Sequence, residues 1–280
     1  MNNKVVIIGG GVSGLTCAIY LARYGMQVKV YNGYSKGSLS ETTIVENFPG
    51  FPEGISGYEL LERMEEQAKK FGVEIFDEEV IKIKDIEHQV ILDNDNVINY
   101  NYLVVATGRT PKKINALNQN LFENHIHYCA TCDGMLYKGL KVAIIGGGDT
   151  ALTESLYLSQ IASEVLIIVR KPYFKGSDCL IQQICEKDNI KIYFESEVTE
   201  CFEKGIIINN SQKIEIDGLF VAIGSEANDN VVKDCLMNDI YIAGDVNNTW
   251  KYQQAVIAAG DGAKTAINLF RNFQKENLTN

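Results

Sequence analysis

Two cysteines separated by two residues stand near the middle of the chain, in the run Cys129-Ala-Thr-Cys132-Asp133-Gly134. Cysteines at this spacing can close a small disulfide ring, and such pairs commonly contain one thiol that ionises readily and acts as nucleophile and leaving group. Asp133 follows directly and can carry the proton when a thiolate forms or leaves. The run therefore predicts thiol–disulfide redox chemistry.

A metal site is a second interpretation of the same segment. His125 and His127 precede the cysteines and complete an HxHxCxxC pattern of side chains that zinc accepts as ligands. Four ligands this close in sequence would be cramped, so we expect the histidines to be structural and no metal to be bound. An inert buried pair of cysteines is a third interpretation.

Two glycine-rich turns must position these groups. The first, Gly9-Gly-Gly11-Val-Ser-Gly14, follows an apolar strand and opens a helix, the context in which this motif binds a dinucleotide pyrophosphate. Gly9 permits the tight turn, Gly11 lets the phosphates approach the backbone, and Gly14 lets helix and strand pack closely. The acidic residue usual about 20 positions on is replaced by Asn32, which can accept a hydrogen bond from a ribose hydroxyl.

The second glycine-rich turn, Gly146-Gly-Gly148-Asp-Thr-Ala151, follows the thiol pair and begins a second strand–helix–strand unit. The segment Leu219–Gly224 mirrors Leu103–Gly108, so the two halves look like duplicated nucleotide folds. We predict an α/β protein with two Rossmann-like three-layer domains, the second inserted into the first. The predicted domains are residues 1–113 with 234–280, and residues 114–233. The predicted helices are Leu15–Tyr24, Gly57–Phe71, Thr150–Ile161 and about Tyr252 to Phe273.

Composition narrows the class of protein. The chain has 280 residues, of which 46% are hydrophobic, enough for two buried cores. Its net charge of −10 argues against a nucleic-acid partner and against an anionic membrane surface. No apolar run approaches the roughly 18 residues that a membrane span requires. Seven cysteines without regular spacing are not a disulfide framework. The chain opens directly into a strand, so we expect no signal peptide and a cytoplasmic location.

Together these motifs resemble the low-molecular-weight thioredoxin reductases, within the FAD/NAD(P)-binding superfamily. The Cys129–Gly134 run is nearly identical to the redox motif of that family. Val45-Glu-Asn47-Phe-Pro-Gly50, Ala106-Thr107-Gly108 and Ala243-Gly244-Asp245-Val246 are similar to its flavin contacts, as is Gln254-Ala255 followed by Ala258–Gly262. The resemblance covers nearly the whole chain.

The resemblance implies non-covalent FAD, a thioredoxin partner and a homodimer. It implies that reduced FAD passes two electrons to a Cys129–Cys132 disulfide, with Cys129 as the attacking thiol, Cys132 on the flavin side and Asp133 as acid and base. It also implies rotation of the second domain about linkers near Arg109–Asn115 and Ser225–Asp234. The expected flavin-binding residues are Gly9, Gly11, Ser13, Gly14, Asn32, Gly37, Leu39, Asn47, Thr107, Gly108, Gly244, Asp245, Gln254 and Ala255.

The chain departs from the family pattern where the electron donor would bind. Members that use NADPH carry His-Arg-Arg-x-x-x-Arg after the second-domain strand, whereas this chain has Val169-Arg170-Lys171 and Lys175. Lysine is a point charge without the bidentate fork of arginine. Gln253 stands where an arginine is usual, Ser38 replaces a glutamine, and the chain is shorter. These departures resemble the ferredoxin-dependent flavin thioredoxin reductases, so we expect reduced ferredoxin as the donor, with NADPH as the alternative.

Two other functions stay open at this point. The protein could reduce a different disulfide partner, or it could be a flavoprotein thiol sensor that cycles its disulfide without turning over thioredoxin. A zinc-binding module would instead contain about one metal ion and no flavin.

Overall fold

The computed structural model describes residues 3–34, 37–42, 44–233, 235–236, 239–247 and 253–279. The chain divides into two units. The first joins Met1–Thr110 to Ala227–Asn280, and the second is the intervening Pro111–Glu226. The first unit is therefore discontinuous in sequence.

The first unit alternates parallel strands with helices. Its central strands are short apolar runs bounded by glycine turns, as a strand covered on both faces requires. In chain order the elements are β1 (Lys4–Ile8), α1 (Val12–Arg23), β2 (Gln27–Tyr31), α2 (Gly57–Lys70), β3 (Glu74–Phe76), β4 (Val80–Lys84), β5 (Gln89–Leu92), β6 (Val97–Asn99), β7 (Tyr102–Val105) and β8 (Arg109–Pro111). The Ser56 hydroxyl caps α2 by accepting a hydrogen bond from the Glu59 N–H at 3.1 Å.

The second unit repeats this plan, and the chain then returns to the first. Its elements are β9 (Ile126–His127), α3 (Ala130–Asp133), β10 (Lys141–Ile145), α4 (Asp149–Leu158), β11 (Glu164–Ile168), α5 (Asp178–Cys185), β12 (Ile190–Tyr193), β13 (Val198–Phe202), β14 (Gly205–Ile208), β15 (Gln212–Glu215) and β16 (Gly218–Val221). The strand β17 (Ser225–Ala227) contains the second boundary, and the returning elements are β18 (Ile240–Ile242) and α6 (Ala255–Thr279).

Each unit contains one five-stranded parallel sheet. The strand order is β18-β7-β1-β2-β3 in the first unit and β12-β11-β10-β16-β9 in the second. Each unit also has a three-stranded antiparallel sheet, β4-β5-β6 and β13-β14-β15 respectively, while β8 and β17 pair where the chain passes between the units. The predicted α/β class with two Rossmann-like units is confirmed.

Alternating side chains on the central strands build two apolar layers in each unit. In β1, Val5 and Ile7 pack with α1, α2 and α6, while Val6 and Ile8 pack with the antiparallel sheet. In β10, Val142 and Ile144 face the helices, and Ala143 faces the second antiparallel sheet. Because successive strand residues point to opposite faces, one apolar strand supports both layers.

The unit boundaries differ from the predicted ones. The units separate at residues 110/111 and 226/227, not at 113/114 and 233/234. The segment near the second boundary is polar and was interpreted as a linker, so its contacts with the first unit were not predicted. Asn228 donates a hydrogen bond to the Thr107 carbonyl oxygen at 2.9 Å, and Val232 lies in the apolar cluster of the first unit. The predicted boundary residue 234 lies outside the described residues.

The predicted helices exist, with ends shifted by a few residues. The last helix begins at Ala255 and continues to Thr279, beyond the predicted end at Phe273, and the predicted start at residue 252 is not among the described residues. None of the described helices is both long and apolar enough to cross a bilayer.

Candidate functional site

The Cys129–Cys132 pair forms a disulfide at the start of the short helix α3. Its two Cα atoms are 5.3 Å apart. Cys129 is the extended residue just before the helix, and its carbonyl oxygen accepts hydrogen bonds from the N–H groups of Cys132 at 3.2 Å and Asp133 at 3.1 Å. This single helical turn is what brings the two sulfurs together. Both cysteines are half-buried, so a disulfide partner can reach the pair.

Asp133 is buried, and its carboxyl group contacts His127, a residue that we expected to be structural. Its Oδ2 atom lies 3.1 Å from Nδ1 of His127. On the other side of the ring, Nε2 of His127 lies 2.6 Å from the hydroxyl of Tyr137. The position of His127 two residues before Cys129 was visible in the sequence, but nothing there indicated its partners.

The other histidine of the HxH pair lies elsewhere. The exposed His125 ring stacks on Phe122 with 4.9 Å between centroids. The described residues contain no cluster of three or more histidine, cysteine, aspartate or glutamate side chains suited to a metal. The four side chains of the pattern that suggested zinc therefore do not meet at one point. The two cysteines bond each other, His127 contacts Asp133 and Tyr137, and His125 stacks on Phe122.

A second carboxyl group contacts the redox helix. Glu154 on α4 accepts a hydrogen bond from the Ala130 N–H, at the first residue of α3. Burial raises the pKa of Glu154 to about 7, and the hydrogen bond from Ala130 only partly opposes that rise. Sequence reasoning missed Glu154, because its contact depends on how α4 packs against α3.

The first glycine-rich turn in the first unit has the geometry of a nucleotide-binding loop. Gly9 has φ +100°, and a Cβ atom there would lie 2.5 Å from the Ala106 carbonyl oxygen. A Cβ atom on Gly14 would lie 1.9 Å from the Gly9 carbonyl oxygen, so α1 can approach the turn only with glycine at position 14. A Cβ atom on Gly11 would meet no atom within 4 Å. The protein backbone therefore leaves room for a ligand at Gly11 and not at the other two glycines.

Two buried polar atoms beside this turn fit the groups of a flavin dinucleotide. Ser13 Oγ and Asn32 Oδ1 are buried, and neither has a hydrogen-bond partner among the described residues. Leaving such an atom unpaired costs on the order of 1–3 kcal/mol. No acidic side chain stands in the first turn of α1, so the positive end of the helix dipole is unopposed there. Phosphate and ribose hydroxyl groups of a bound dinucleotide would satisfy these atoms.

The C-terminal segment packs against the same turn. A Cβ atom on Gly244 would lie 2.7 Å from Ser13 Cβ, and one on Gly262 would lie 2.2 Å from the Ser13 carbonyl oxygen. The Gly244 N–H donates to Asp261 Oδ2 at 2.7 Å. Burial raises the pKa of the neighbouring Asp245, Arg109 lowers it and Asp261 raises it further. The structure therefore brings Gly244 and Asp245 to the first fingerprint.

The remaining predicted flavin residues lie in the first unit in three groups. Asn47 donates a hydrogen bond from Nδ2 to Gln254 Oε1 at 3.0 Å, just before Ala255 begins α6. Thr107 donates from Oγ1 to the Asn228 carbonyl oxygen at 2.6 Å, and Gly108 follows with φ +67°. Gly37, with φ +80°, precedes a 3₁₀ turn in which Leu39 packs against the core.

The second glycine-rich turn has the same local geometry in the second unit. Gly146 has φ +145°, and a Cβ atom there would lie 2.4 Å from the Ala222 carbonyl oxygen. The segment after β11 folds back over this turn. The Lys175 N–H donates to the Gly147 carbonyl oxygen at 2.6 Å, and the Ser177 N–H donates to Asp149 Oδ1 at 2.7 Å. The structure therefore preserves a nucleotide-type loop here.

The side chains around this second turn divide into an apolar contact and a basic group. Val169 is buried, and a Cβ atom on Gly147 would lie 2.8 Å from its Cγ1 atom. Arg170, Lys171 and Lys175 are exposed, and within the described part of the chain none of the three forms a salt bridge. Three cations beside a glycine-rich helix start form a surface suited to a phosphate group.

Known proteins resemble this chain over nearly its full length. Residues 3–276 match the family model described as pyridine nucleotide-disulphide oxidoreductase. A thioredoxin reductase of Borreliella burgdorferi is 35% identical over 97% of this chain and 92% of its own. The NADPH-dependent thioredoxin reductase 3 of Arabidopsis thaliana is 31% identical over 98% of this chain, which spans 59% of that relative. The crystal structure of a Streptococcus pyogenes thioredoxin reductase superposes with a TM-score of 0.86 at 26% identity, covering 98% of this chain and 100% of its own.

Proposed function

The chain belongs to the pyridine nucleotide-disulphide oxidoreductase family, and on that premise we propose that it is an FAD-dependent thioredoxin reductase. The observation that carries the proposal is the accessible Cys129–Cys132 disulfide on α3 with Asp133 at the end of the same helical turn. The relatives named thioredoxin reductase, matched over more than nine-tenths of this chain, support the choice of partner.

In the proposed reaction the thiol pair carries electrons to the partner. Reduced FAD, when bound, would supply the two electrons that open the disulfide to the two thiols, and the two protons would come from the flavin and the solvent. Asp133 then accepts the Cys129 proton while the Cys129 sulfur attacks one sulfur of the partner disulfide, whose second sulfur leaves with the bonding electrons. The Cys132 thiol then loses its proton as its sulfur attacks Cys129 in the mixed disulfide, which closes the Cys129–Cys132 bond again. The two partner sulfurs leave as thiolates and take up two protons, one returned by Asp133 and one equivalent to the proton lost by Cys132, so the partner is released as a dithiol.

We propose that the flavin lies along the first fingerprint. Gly11 provides the approach to the pyrophosphate, Ser13 donates to a phosphate oxygen, and Asn32 accepts from a ribose hydroxyl. The unpaired buried atoms of Ser13 and Asn32 support these two roles. The other proposed contacts are Gly9, Gly14, Gly37, Leu39, Asn47, Thr107, Gly108, Gly244, Asp245, Gln254 and Ala255.

The donor we favour is NADPH, which replaces the ferredoxin expected from the sequence. The basic group after β11 lies on the segment that covers the second fingerprint, and an NADPH-dependent relative matches 98% of this chain, which spans 59% of that relative. Arg170, Lys171 and Lys175 would bind the 2′-phosphate.

Reduced ferredoxin stays the second candidate for a specific reason. Val169 stands where NADPH-using members carry histidine, and it is buried against Gly147. It therefore offers no polar atom to a phosphate. Gln253 likewise lacks the charge of the arginine usual at its position.

An anaerobic titration of the oxidised flavoprotein separates the two donors. Stoichiometric NADPH should bleach the flavin absorbance rapidly, and Lys171→Glu should raise the NADPH concentration required by at least about tenfold. Lys187→Glu, an exposed lysine after α5, is the matched control. Bleaching by reduced ferredoxin and not by NADPH would reverse the choice of donor.

The partner and the assembly need their own tests. Turnover of thioredoxin with the donor present distinguishes a reductase from a thiol sensor, which would bind FAD and stop after one cycle. A homodimer in the cytoplasm is part of the proposal through the family resemblance, and light scattering of the flavoprotein should give twice the 31.2 kDa chain mass.

A further inference from the structure

A histidine outside the expected catalytic set connects Asp133 to a buried tyrosine. His127 lies on β9, where it pairs with Phe220 of β16, and its ring stacks on Phe220 with 5.4 Å between centroids. Its Nδ1 is 3.1 Å from Asp133 Oδ2, and its Nε2 is 2.6 Å from the Tyr137 hydroxyl. The side chains of His127 and Asp133 are only 13% and 11% exposed, so water competes weakly for these bonds.

The neighbours of the ring decide which nitrogen carries a proton. A carboxylate oxygen only accepts hydrogen bonds, so Nδ1 must carry a proton to donate to Asp133. Burial, followed by the charges of Asp133 and Asp217, raises the pKa of Tyr137 to about 12. Tyr137 therefore keeps its proton at neutral pH and can donate it to Nε2. A neutral His127 satisfies both partners only as the Nδ1–H tautomer.

The tyrosine itself is fixed by packing. Tyr137 is buried, and its ring meets Phe220 edge to face with 5.6 Å between centroids. A Cβ atom on Gly218 would lie 2.5 Å from the Tyr137 ring, so the close approach of β16 requires glycine there. The hydroxyl that bonds His127 thus comes from a side chain with little freedom to move.

We propose that His127 is a positioning residue for Asp133, and that Tyr137 holds it in the required tautomer. The inference rests on the proposed thiol chemistry. When Asp133 accepts the Cys129 proton and Cys129 attacks the partner disulfide, the hydrogen bond from His127 keeps the carboxyl group in one orientation. His127 itself neither gains nor loses a proton in that step.

Other charged groups around this cluster have separate partners. Glu154 accepts from the Ala130 N–H on α3, and Asp217 accepts from the Lys141 N–H at 2.8 Å. Phe220, which stacks on the His127 ring, is apolar. His127 contacts both Asp133 and Tyr137.

The tautomer can be observed directly. The chain has three histidines, so ¹⁵N-histidine spectra of the whole flavoprotein can be assigned with single variants. We expect His127 to be protonated at Nδ1 at neutral pH, with signals that disappear in His127→Phe. A neutral Nε2–H tautomer for His127 would overturn the proposal.

A single-turnover reaction tests the consequence for the thiols. The protein is reduced with dithionite, freed of excess reagent, and mixed with 5,5′-dithiobis(2-nitrobenzoate), with the signal of the unreduced protein subtracted for the free cysteines. His127→Phe, which keeps the ring against Phe220, should slow the reaction of the pair about ten- to a hundredfold. His127→Asn, whose amide can donate from the place of Nδ1, should recover most of the rate.

The control is His125→Phe, which makes the same chemical change at the exposed histidine and should react like the wild type. If His127→Phe reacts at the wild-type rate, or if His127→Asn is as slow as His127→Phe, the positioning role is wrong. Should His127→Phe fail to fold, His127→Ser takes its place in the same comparison. A wild type that reacts with the reagent and not with thioredoxin would refute the proposed function alone.

Discussion

Glu154→Gln should make the second unit more stable, and by an amount that grows with pH. The wild-type Glu154 side chain is half-buried on α4, where burial raises its pKa from 4.5 to about 7. Between these two values the folded protein holds a proton that the unfolded chain has released. The bound proton therefore makes its full contribution to the stability of the folded protein below about pH 4.5. This contribution is lost as the pH rises through about 7.

The size of the effect follows from the two pKa values. One unit of pKa difference corresponds to about 1.4 kcal/mol. Proton linkage then predicts that the free energy of unfolding of the wild type falls by about 2.5 kcal/mol between pH 5 and pH 8, relative to a variant that does not titrate. Glutamine keeps an oxygen that can accept from the Ala130 N–H, so the hydrogen bond to α3 is preserved.

Urea unfolding of both proteins at pH 5, 6, 7 and 8, followed by circular dichroism, measures this difference. Glu164→Gln is the matched control, because Lys191 and then Lys141 lower the pKa of Glu164 through their hydrogen bonds. The Glu164 carboxylate loses its stabilising contribution only as the pH falls below the range tested. The difference in unfolding free energy between Glu164→Gln and the wild type should therefore be constant from pH 5 to 8. If the difference in unfolding free energy between Glu154→Gln and the wild type were also constant with pH, the raised pKa of Glu154 would be refuted.

Three further substitutions test other parts of the account. Cys132→Ser should abolish thioredoxin reduction while the yellow flavin stays bound, measured by turnover and absorbance; retained turnover would exclude the assigned pair. Gly11→Ala should leave the unfolding free energy of the apoprotein within about 0.5 kcal/mol, because a Cβ atom meets nothing there, but weaken FAD binding at least about tenfold. Unchanged FAD affinity would place the pyrophosphate elsewhere. Gly218→Ala should destabilise the protein by about 1–3 kcal/mol, because its methyl group would collide with the Tyr137 ring; a neutral effect on urea unfolding would contradict that packing.

Local patterns in the sequence predicted the nucleotide folds well. A buried parallel strand needs an apolar run such as Val5–Ile8, and a helix that starts beside it needs glycine where the backbones approach, as at Gly14. The disulfide was also predictable, because its two cysteines lie within one helical turn. In each case the residues that decide the structure are close together in the chain.

The parts of the site that were not predicted from the sequence depend on contacts between segments that are distant in the chain. His127 meets Tyr137 because β9 pairs with β16 and the chain folds back after α3. Glu154 reaches Ala130 through the packing of α4 on α3. The predicted boundary at 233/234 differs from the division at 226/227, on a segment where Asn228 bonds to Thr107, more than a hundred positions away in the chain. None of these contacts leaves a periodic or spacing signal in the sequence.

Trapping the mixed disulfide tests most directly the claim that this thiol pair reduces thioredoxin. The Cys132→Ser protein is mixed with a thioredoxin that lacks its resolving cysteine and carries a nitrothiobenzoate on the attacking one. Mass spectrometry of the digested complex should locate a single bond from thioredoxin to Cys129. Failure to form the complex, or attachment at the exposed Cys179 or Cys185, would contradict the account.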